Sequence, residues 1–222
     1  ACPNANDWLN AYEGADELYV VTITSALSGT YNSAMLAANL YLEQNPNAQI
    51  HVFFSYCTGP EMRLIIVKIV ELKTAGKSFD EIVKEVTEYQ QHTRLFFMLE
   101  PFKNLANNGR ISKTVAGIAG VLGIRILATA SLEGTIEPQT KCRGEKSALK
   151  KFVEFMIEAG YSGGKVYISH CKNKDFAESL KASIFALFPK AKVLIYETKG
   201  LCSYYVEKGG IILGCECDKT YI

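Results

Sequence analysis

The chain has 222 residues, of which 48% are hydrophobic and 21% charged, a composition typical of a globular protein with a sizeable core. Its 24 basic and 23 acidic residues leave a net charge of +1, which argues against a nucleic-acid-binding protein because those proteins carry a basic excess or stripe. The most apolar stretch, residues 115–130, is interrupted by Arg125 and is shorter than the roughly 20 apolar residues of a membrane span, and no signal peptide is recognisable.

Helix and strand patterns alternate along the chain. Apolar spacing predicts helices at residues 7–13, 31–44, 61–74, 145–159 and 174–188, and strands at residues 18–24, 49–54, 94–98, 165–169 and 192–196. Residues 125–131 and 135–141 are predicted to pair as a hairpin around Glu133-Gly134, and a last hairpin is predicted to turn near Lys208-Gly209-Gly210. Alternating strands and helices predict α/β layers, with a mixed sheet in the second half.

One helix carries a clear start signal. Ser78 and Glu81 have the spacing of a capping box, in which each side chain accepts a hydrogen bond from the other residue's backbone N–H. The helix that follows places apolar residues on one face, which we assign to the core: Phe79, Ile82, Val83, Val86 and Tyr89. A boundary is predicted after this helix, so that residues 1–93 form a first α/β lobe and residues 94–222 a second lobe with hairpins.

The cysteines do not indicate a metal site. There are seven, at irregular spacing, and only Cys215 and Cys217 lie close together, with no histidine nearby. A structural zinc ion needs four ligands at suitable spacing, which this pair does not supply. We therefore expect reduced thiols in a cytoplasmic protein without a metal or cofactor.

The first candidate site follows the first predicted strand. Residues 24–31 connect that strand to a helix, and ligands in open α/β sheets bind at the carboxyl ends of strands. The N–H groups at a helix start favour an anion such as a carboxylate or phosphate. The alternative is a plain helix cap. Taken alone, a cap is the commoner use of serine and threonine at a helix start. Four hydroxyl residues within nine positions weaken that interpretation: Ser25, Ser28, Thr30 and Ser33.

The second candidate site is the segment at residues 108–122. Arg110 either pairs with an anion or caps a carbonyl. The small residues that follow leave room either for another helix or for an alkyl chain, and periodicity does not separate the two. These small residues are Ala116, Gly117, Ala119 and Gly120.

Three short motifs resemble the DegV family of fatty-acid-binding proteins. Residues 28–34, Ser-Gly-Thr-Tyr-Asn-Ser-Ala, resemble the family's S-G-T-Y-x-S-A segment, and residues 109–112 resemble its G-R-I-S segment. Residues 141–144, Lys-Cys-Arg-Gly, resemble its K-x-R-G segment, and the three motifs occur in the family's order. Residues 2–3 resemble the end of a T-S-x-P segment, and on that alignment about a fifth of a family member, including its first strand, would precede Ala1.

The resemblance implies an α/β fold of two lobes, each a mixed or mostly parallel sheet flanked by helices, with a ligand slot between them. It further implies a non-catalytic carrier of one long-chain fatty acid. Such a carrier presents the acyl carboxylate to a dihydroxyacetone-kinase-like fatty acid kinase, which makes an acyl phosphate for phospholipid synthesis. By this resemblance Ser28 would bind the carboxylate, and the other ligand-binding candidates are Ser25, Gly29, Thr30 and Arg110.

The resemblance also makes the basic pair Lys141 and Arg143 a candidate kinase-facing surface. The alternative for this pair is a solvated helix start. Two departures from the family pattern concern other positions. Near the C-terminus the family has a histidine followed by T-G-P-G, whereas residues 204–210 contain no histidine, and the family's Asp-Ser after the second strand is Phe54-Ser55 here.

A different class of function is a hydrolase or acyltransferase with Ser28 as the nucleophile. Such an enzyme needs a base within hydrogen-bond reach, and the chain offers only His51, His92 and His170. Ser28 also lacks the G-x-S-x-G elbow of α/β hydrolases. We therefore favour the carrier, and a chromogenic ester would separate the two functions.

Overall fold

The computed structural model describes residues 2–100, 102–111 and 124–220. The helices in this part of the chain are α1 (Ala5–Tyr12), α2 (Thr30–Gln44), α3 (Gly59–Thr74), α4 (Phe79–Gln90), α5 (Lys103–Asn107), α6 (Glu145–Glu158), α7 (Lys174–Leu187) and α8 (Gly200–Val206). The strands are β1 (Glu17–Val21), β2 (Gln49–Phe53), β3 (Thr93–Leu99), β4 (Ile124–Ala130), β5 (Ile136–Arg143), β6 (Lys165–His170), β7 (Lys192–Glu197) and β8 (Ile211–Glu216).

The described strands form two sheets. β1 and β2 pair in parallel, and the others form a six-stranded sheet in the order β5-β4-β3-β8-β6-β7. In the larger sheet β6 and β7 run parallel, whereas the remaining neighbours run antiparallel. Helices pack against both sheets, so the predicted α/β class, with a parallel sheet and a mixed sheet flanked by helices, is confirmed.

The core is organised around β3, which is buried along its whole length. Side chains alternate between the two faces of a strand. Phe96 and Met98 accordingly pack with α6 and α7, whereas Leu95, Phe97 and Leu99 pack with α3, α4 and Phe53 of β2. A separate cluster joins α1 and α2 to the opposite face of the small sheet. The face of β3 that carries Leu95, Phe97 and Leu99 therefore looks toward the small sheet.

A glycine holds α3 against the large sheet. A Cβ atom on Gly214 of β8 would lie 2.6 Å from the backbone nitrogen of Glu61, in the first turn of α3. Only a residue without a side chain allows this approach. The contact fixes the start of α3, and with it Thr58 and Gly59, over the middle of the larger sheet.

Several local predictions are confirmed. Ser78 and Glu81 form the predicted capping box of α4, and Ile82 and Val86 on its apolar face are buried. β4 and β5 pair as the predicted antiparallel hairpin. α1 begins two residues earlier than predicted because the Asn4 side chain accepts hydrogen bonds from the backbone N–H groups at the helix start.

The prediction of a hairpin near Lys208-Gly209-Gly210 is wrong. A turn does occur there, but it joins α8 to β8, and β8 pairs with β3 and β6 instead of β7. β7 is the edge strand, and neighbouring strands lie about 4.8 Å apart, so the chain must cross over β6 to reach the gap beside β3. The short helix α8 spans this crossing, and the sequence pattern does not predict it.

The predicted boundary at residue 93 coincides with the change of sheet, since β1 and β2 precede it and β3 begins the larger sheet. However, α3 packs against both sheets, and the division into two lobes stays a prediction. The small-residue segment, together with Ser112 of the second motif, lies outside the described residues. Among the described helices, none combines the length and hydrophobicity needed to cross a membrane.

Candidate functional site

The loop after β1, residues 22–29, forms one wall of the candidate site, and we call it the head-group loop. Its backbone is fixed to the loop after β2. The Thr24 N–H donates to the Cys57 carbonyl at 2.8 Å, and the Ser55 hydroxyl donates to the Thr22 carbonyl at 2.6 Å. A Cβ atom on Gly134, in the β4–β5 turn, would overlap the Thr24 side chain, so this turn also packs directly on the loop.

Hydroxyl groups gather where this loop enters α2. The Ser28 Oγ lies 2.7 Å from the Thr30 Oγ1, and the Thr30 N–H donates to the Ser28 Oγ at 3.3 Å. The N-cap residue is Gly29, which has no capping side chain. Ser28 therefore satisfies one N–H at the helix start from the position before the cap, and both hydroxyls stay beside the other N–H groups of the first turn.

Cys2 extends this polar group. Its Sγ lies 3.3 Å from the Thr30 Oγ1 and 3.8 Å from the Ser33 Oγ. The hydrogen bond with Thr30 lowers the pKa of the Cys2 thiol from its usual range, although the modest burial of the thiol opposes this. Small polar groups from the head-group loop, the first turn of α2 and Cys2 thus gather at the start of α2.

A cavity of about 260 Å³ begins at these donors, and we call it the slot. Phe97 and Leu99 of β3 and Ile212 of β8 form its floor, on the side of the larger sheet that faces the small sheet. The other described residues that line the slot are mostly apolar: Cys2, Pro3, Ile23, Leu27, Ser28, Gly29, Thr30, Thr58, Leu105, Arg110, Ile136, Leu201, Cys202, Tyr205 and Val206. The slot therefore combines a mostly apolar wall with a small polar mouth.

Arg110 joins the slot from the other side of the mouth. Its Nε donates to the Leu27 carbonyl at 3.3 Å, and its Nη1 donates to the Asn108 carbonyl at 2.6 Å. The guanidinium also lies 5.8 Å from the centre of the Tyr205 ring. Arg110 thus caps carbonyls, as the conservative interpretation predicts, and it brings a positive charge to the residue that precedes Ser28.

The predicted ligand-binding residues divide into two groups. Ser28, Gly29, Thr30 and Arg110 line one cavity, whereas Ser25 is not among the described residues of that wall. Their role in binding stays a prediction. The part that sequence reasoning missed is the α8 wall, formed by Leu201, Cys202, Tyr205 and Val206. The spacing of these residues is helical, but the Lys-Gly-Gly turn that follows suggested a hairpin.

The two predicted kinase-facing residues are exposed, and neither is among the described residues that line the slot. Lys141 and Arg143 are at the end of β5, and Ile136 at its start lines the slot. At about 3.4 Å per residue, Arg143 lies roughly 24 Å along the strand from Ile136. A protein partner that covers both would need an interface of ordinary size. The kinase-facing role stays a prediction.

The three histidines lie away from Ser28. None of them is among the described slot residues, and His51 lines a different cavity. The Nδ1 of His170 accepts the backbone N–H of Asn173 at 3.3 Å, and burial lowers the pKa of His170. Within the described part of the chain, no cluster of histidine, cysteine and acidic residues is arranged to hold a metal ion. The slot thus gives Ser28 no described imidazole as a base.

Comparison with known proteins identifies the family. Residues 1–214 match the family model of the uncharacterised DegV proteins. A DegV domain-containing protein of Streptococcus pyogenes is 45% identical over 216 residues, which cover 97% of this chain and 77% of that protein.

Two solved structures are similar over nearly the whole chain. A DegV family protein from Eubacterium eligens, loaded with heptadecanoic acid, has a TM-score of 0.96 and 47% identity, covering 98% of this chain and 79% of that one. The Streptococcus pneumoniae Fatty Acid Kinase (Fak) B3 protein, loaded with linoleic acid, has a TM-score of 0.96 and 42% identity, covering 98% of this chain and 78% of that one. The chain therefore belongs to the DegV family.

Proposed function

We propose that this protein is a non-catalytic carrier that buries one long-chain fatty acid in the slot and presents its carboxylate to a fatty acid kinase. The observation that carries the proposal is the slot itself, a mostly apolar cavity over the larger sheet with hydroxyls, helix N–H groups and one arginine gathered at its mouth. The similar proteins of Eubacterium eligens and Streptococcus pneumoniae, which hold heptadecanoic and linoleic acid, support the same ligand class.

The acyl tail supplies most of the binding energy in this proposal. Burial of one methylene stabilises a complex by about 0.8 kcal/mol, so a long chain binds tightly with few polar contacts. The polar mouth then needs only to select the carboxylate. Ser28 and Thr30 can donate hydrogen bonds to it, and the start of α2 and Arg110 favour its negative charge.

The proposal includes the statement that Ser28 is not a catalytic nucleophile. A serine nucleophile needs a base that takes its proton. The polar neighbour of the Ser28 hydroxyl at 2.7 Å is the Thr30 hydroxyl, which is a poor base at neutral pH. We therefore expect no Ser28-dependent release of product from a chromogenic ester.

The proposal includes a kinase partner and a cytoplasmic location. The name of the Streptococcus pneumoniae Fatty Acid Kinase (Fak) B3 protein supports a fatty acid kinase as the partner. We propose that this kinase is of the dihydroxyacetone-kinase-like type and forms an acyl phosphate for phospholipid synthesis. The seven cysteines, all in the described part of the chain, are free thiols, which suits a reducing compartment.

Lipid analysis of the natively purified chain tests the ligand. We expect mass spectrometry of the extracted lipid to find about one fatty acid per chain, because the buried tail should survive purification. Delipidated protein should take up added oleate. A chain that carries no stoichiometric lipid and takes up none would contradict the proposal.

A coupled assay with the cognate kinase tests the partner. Loaded protein, kinase and ATP should yield acyl phosphate. Arg143→Glu should lower the rate of its formation and leave fatty acid binding unchanged, because Arg143 lies outside the slot. Lys190→Glu, at another exposed position, is the matched charge reversal and should keep the parent rate. Equal rates for both variants would remove Arg143 from the kinase-facing surface and leave the lipid-binding part of the proposal standing.

A further inference from the structure

A second cavity, of about 440 Å³, lies beside β2, and we call it the groove. It is bounded by the start of α2, the loop after β2, the first turn of α3, the end of α4 and the β4–β5 turn. No described residue lines both the groove and the slot. Its volume lies within the ordinary range of small-molecule sites, so the groove can be considered independently of the fatty acid.

One side of the groove is aromatic. The Tyr31 and Phe54 rings are 4.7 Å apart, and the Phe54 and Tyr56 rings are 4.3 Å apart, both edge to face. Tyr56 is 43% exposed and has a φ of 54°, which is unusual for a bulky residue. This conformation holds a tyrosine ring at the rim in contact with the Phe54 ring. Rings arranged in this way offer faces and edges to a flat ligand.

The other feature of the groove is a buried acid. Glu61 is only 3% exposed, and its Oε1 accepts a hydrogen bond from the Thr93 hydroxyl at 2.6 Å. Burial raises the pKa of Glu61 to about 7, although the Thr93 hydrogen bond and the charge of Arg94 act in the opposite direction. The carboxyl is therefore present in both protonation forms at neutral pH.

Both forms of a carboxyl complement the same partner. The carboxylic acid donates one hydrogen bond and accepts another, which matches a ring nitrogen next to an exocyclic amine. The carboxylate accepts two, which matches the same edge after the ring nitrogen has gained a proton. An anionic ligand is disfavoured, since no lysine or arginine of the described residues lines the groove.

We propose that the groove binds an amino-substituted nitrogen heterocycle of the nucleobase class, without a phosphate. The ring lies against the tyrosine side of the groove, where Phe54 meets it edge to face because its plane is steeply inclined to those of Tyr31 and Tyr56. Its amine edge pairs with Glu61 at the floor. The side chains of Gln91 and Ser131, which also line the groove, offer amide and hydroxyl groups to the remaining edges of the ring. The groove is separate from the slot, so it binds this heterocycle whether the slot is full or empty.

Isothermal titration with free bases tests the ligand class. Adenine and cytosine carry a ring nitrogen beside an amine, and we expect both to bind saturably. Uracil presents an N–H between two carbonyls, so it should bind at least tenfold more weakly. Adenosine monophosphate should bind no more tightly than adenosine. Failure of adenine and cytosine to bind, equal binding of uracil, or tighter binding of the phosphate would each overturn the proposal, as would tetramethylammonium displacing the bases at equal concentration.

Two variants locate the binding. Asparagine tolerates the left-handed conformation of residue 56, so Tyr56→Asn removes the ring with the fold kept, and we expect at least a tenfold loss of adenine affinity. Tyr204→Asn, at a 50% exposed tyrosine outside the groove, should leave that affinity unchanged. Glu61→Leu should abolish binding, and Tyr56→Asn decides the matter if that variant does not fold. Unchanged adenine affinity in Tyr56→Asn overturns the proposal, and both tyrosine variants should keep their fatty acid.

Discussion

The slot and the groove receive residues from the same loop, yet they have different chemistry. Phe54, Ser55 and Tyr56 of the loop after β2 line the groove, and Thr58, four residues after the first of them, lines the slot. The slot has a mostly apolar wall and a polar mouth, which suits a long chain with a charged end. The groove has aromatic rings above a buried carboxyl, which suits a flat, hydrogen-bonding ligand.

The comparison separates two questions: where a cavity forms in this fold, and which ligand it suits. Both cavities lie at the carboxyl ends of the parallel strands β1 and β2, where ligands of α/β sheets bind. The loop after β1 supplies hydroxyls and a helix start, whereas the loop after β2 supplies aromatic rings and leads to Glu61. Strand topology thus fixes where a ligand binds, and the side chains of each loop decide which ligand it is.

The two loops are also connected, which makes paired measurements necessary. Thr24 and Cys57 share a backbone hydrogen bond, and Ser55 donates to the Thr22 carbonyl. A substitution that merely loosens this connection should weaken both cavities. A substitution that acts through one cavity should change only one ligand.

The largest expected effect comes from filling the slot. Cys202→Trp places an indole beside Gly59 on the slot wall, where it would displace part of the acyl tail. If about five methylenes lose their place, binding should weaken by about 4 kcal/mol, or roughly a thousandfold. Oleate titration of delipidated protein measures this.

The matched control is Tyr204→Trp, an exposed position on the same helix that does not line the slot. It should bind oleate like the parent. If Cys202→Trp bound oleate normally while remaining folded, the tail would have to lie elsewhere. Adenine binding in the groove should be the same in both variants.

The next largest expected effect is a pH dependence of stability that comes from Glu61, the buried acid of the groove. No acidic residue is among the described residues that line the slot. Glu61 has its pKa raised from 4.5 to about 7 in the folded chain, mainly by burial. The folded state therefore holds more protons than the unfolded state between these values, so the free energy of unfolding should fall as pH rises through this window. The loss should reach about 3 kcal/mol and level off above pH 7.

Urea unfolding at several pH values, with Glu61→Gln as the reference, isolates this contribution. The glutamine variant does not titrate, so the difference between the two proteins should carry the slope. Cys57, Thr93 and Arg94 surround residue 61 in both proteins, so their own contributions to the pH dependence cancel in the comparison. A difference that stays constant from pH 4.5 to 7 would show that burial does not raise the pKa of the Glu61 carboxyl.

The sequence predicts the residues at the mouth of the slot but not the groove. The reason is the separation along the chain between the residues that form each site. The Ser28 loop and the Ser78 capping box are local signals, readable within a few residues. The place of β8 between β3 and β6 depends on pairing partners more than 40 residues away, such as Ile168 with Leu213. The groove joins Tyr31, Tyr56 and Ser131, which no short motif connects. The sequence pattern of β3 predicts a strand, but not which of its faces borders the slot.

The smallest effect tests whether the mouth of the slot recognises a carboxylate. Ser28→Ala removes a hydroxyl that can donate to one carboxylate oxygen. A hydrogen bond to a charged group stabilises by about 1.5–3 kcal/mol, so fatty acid binding should weaken by roughly one to two decades. Binding should persist, because the tail stays buried in the slot. Titration with oleate and with methyl oleate gives the comparison that matters.

The ester separates recognition from stability. Ser28 also accepts the Thr30 N–H at 3.3 Å, and loss of a helix cap destabilises a protein by about 1 kcal/mol. A destabilised mouth would weaken acid and ester alike, whereas a lost carboxylate contact weakens the acid more. We expect the acid to lose at least fivefold more affinity than the ester. Equal losses would assign Ser28 to the helix start alone, and a covalent acyl group on Ser28 would assign the chain to the hydrolases after all.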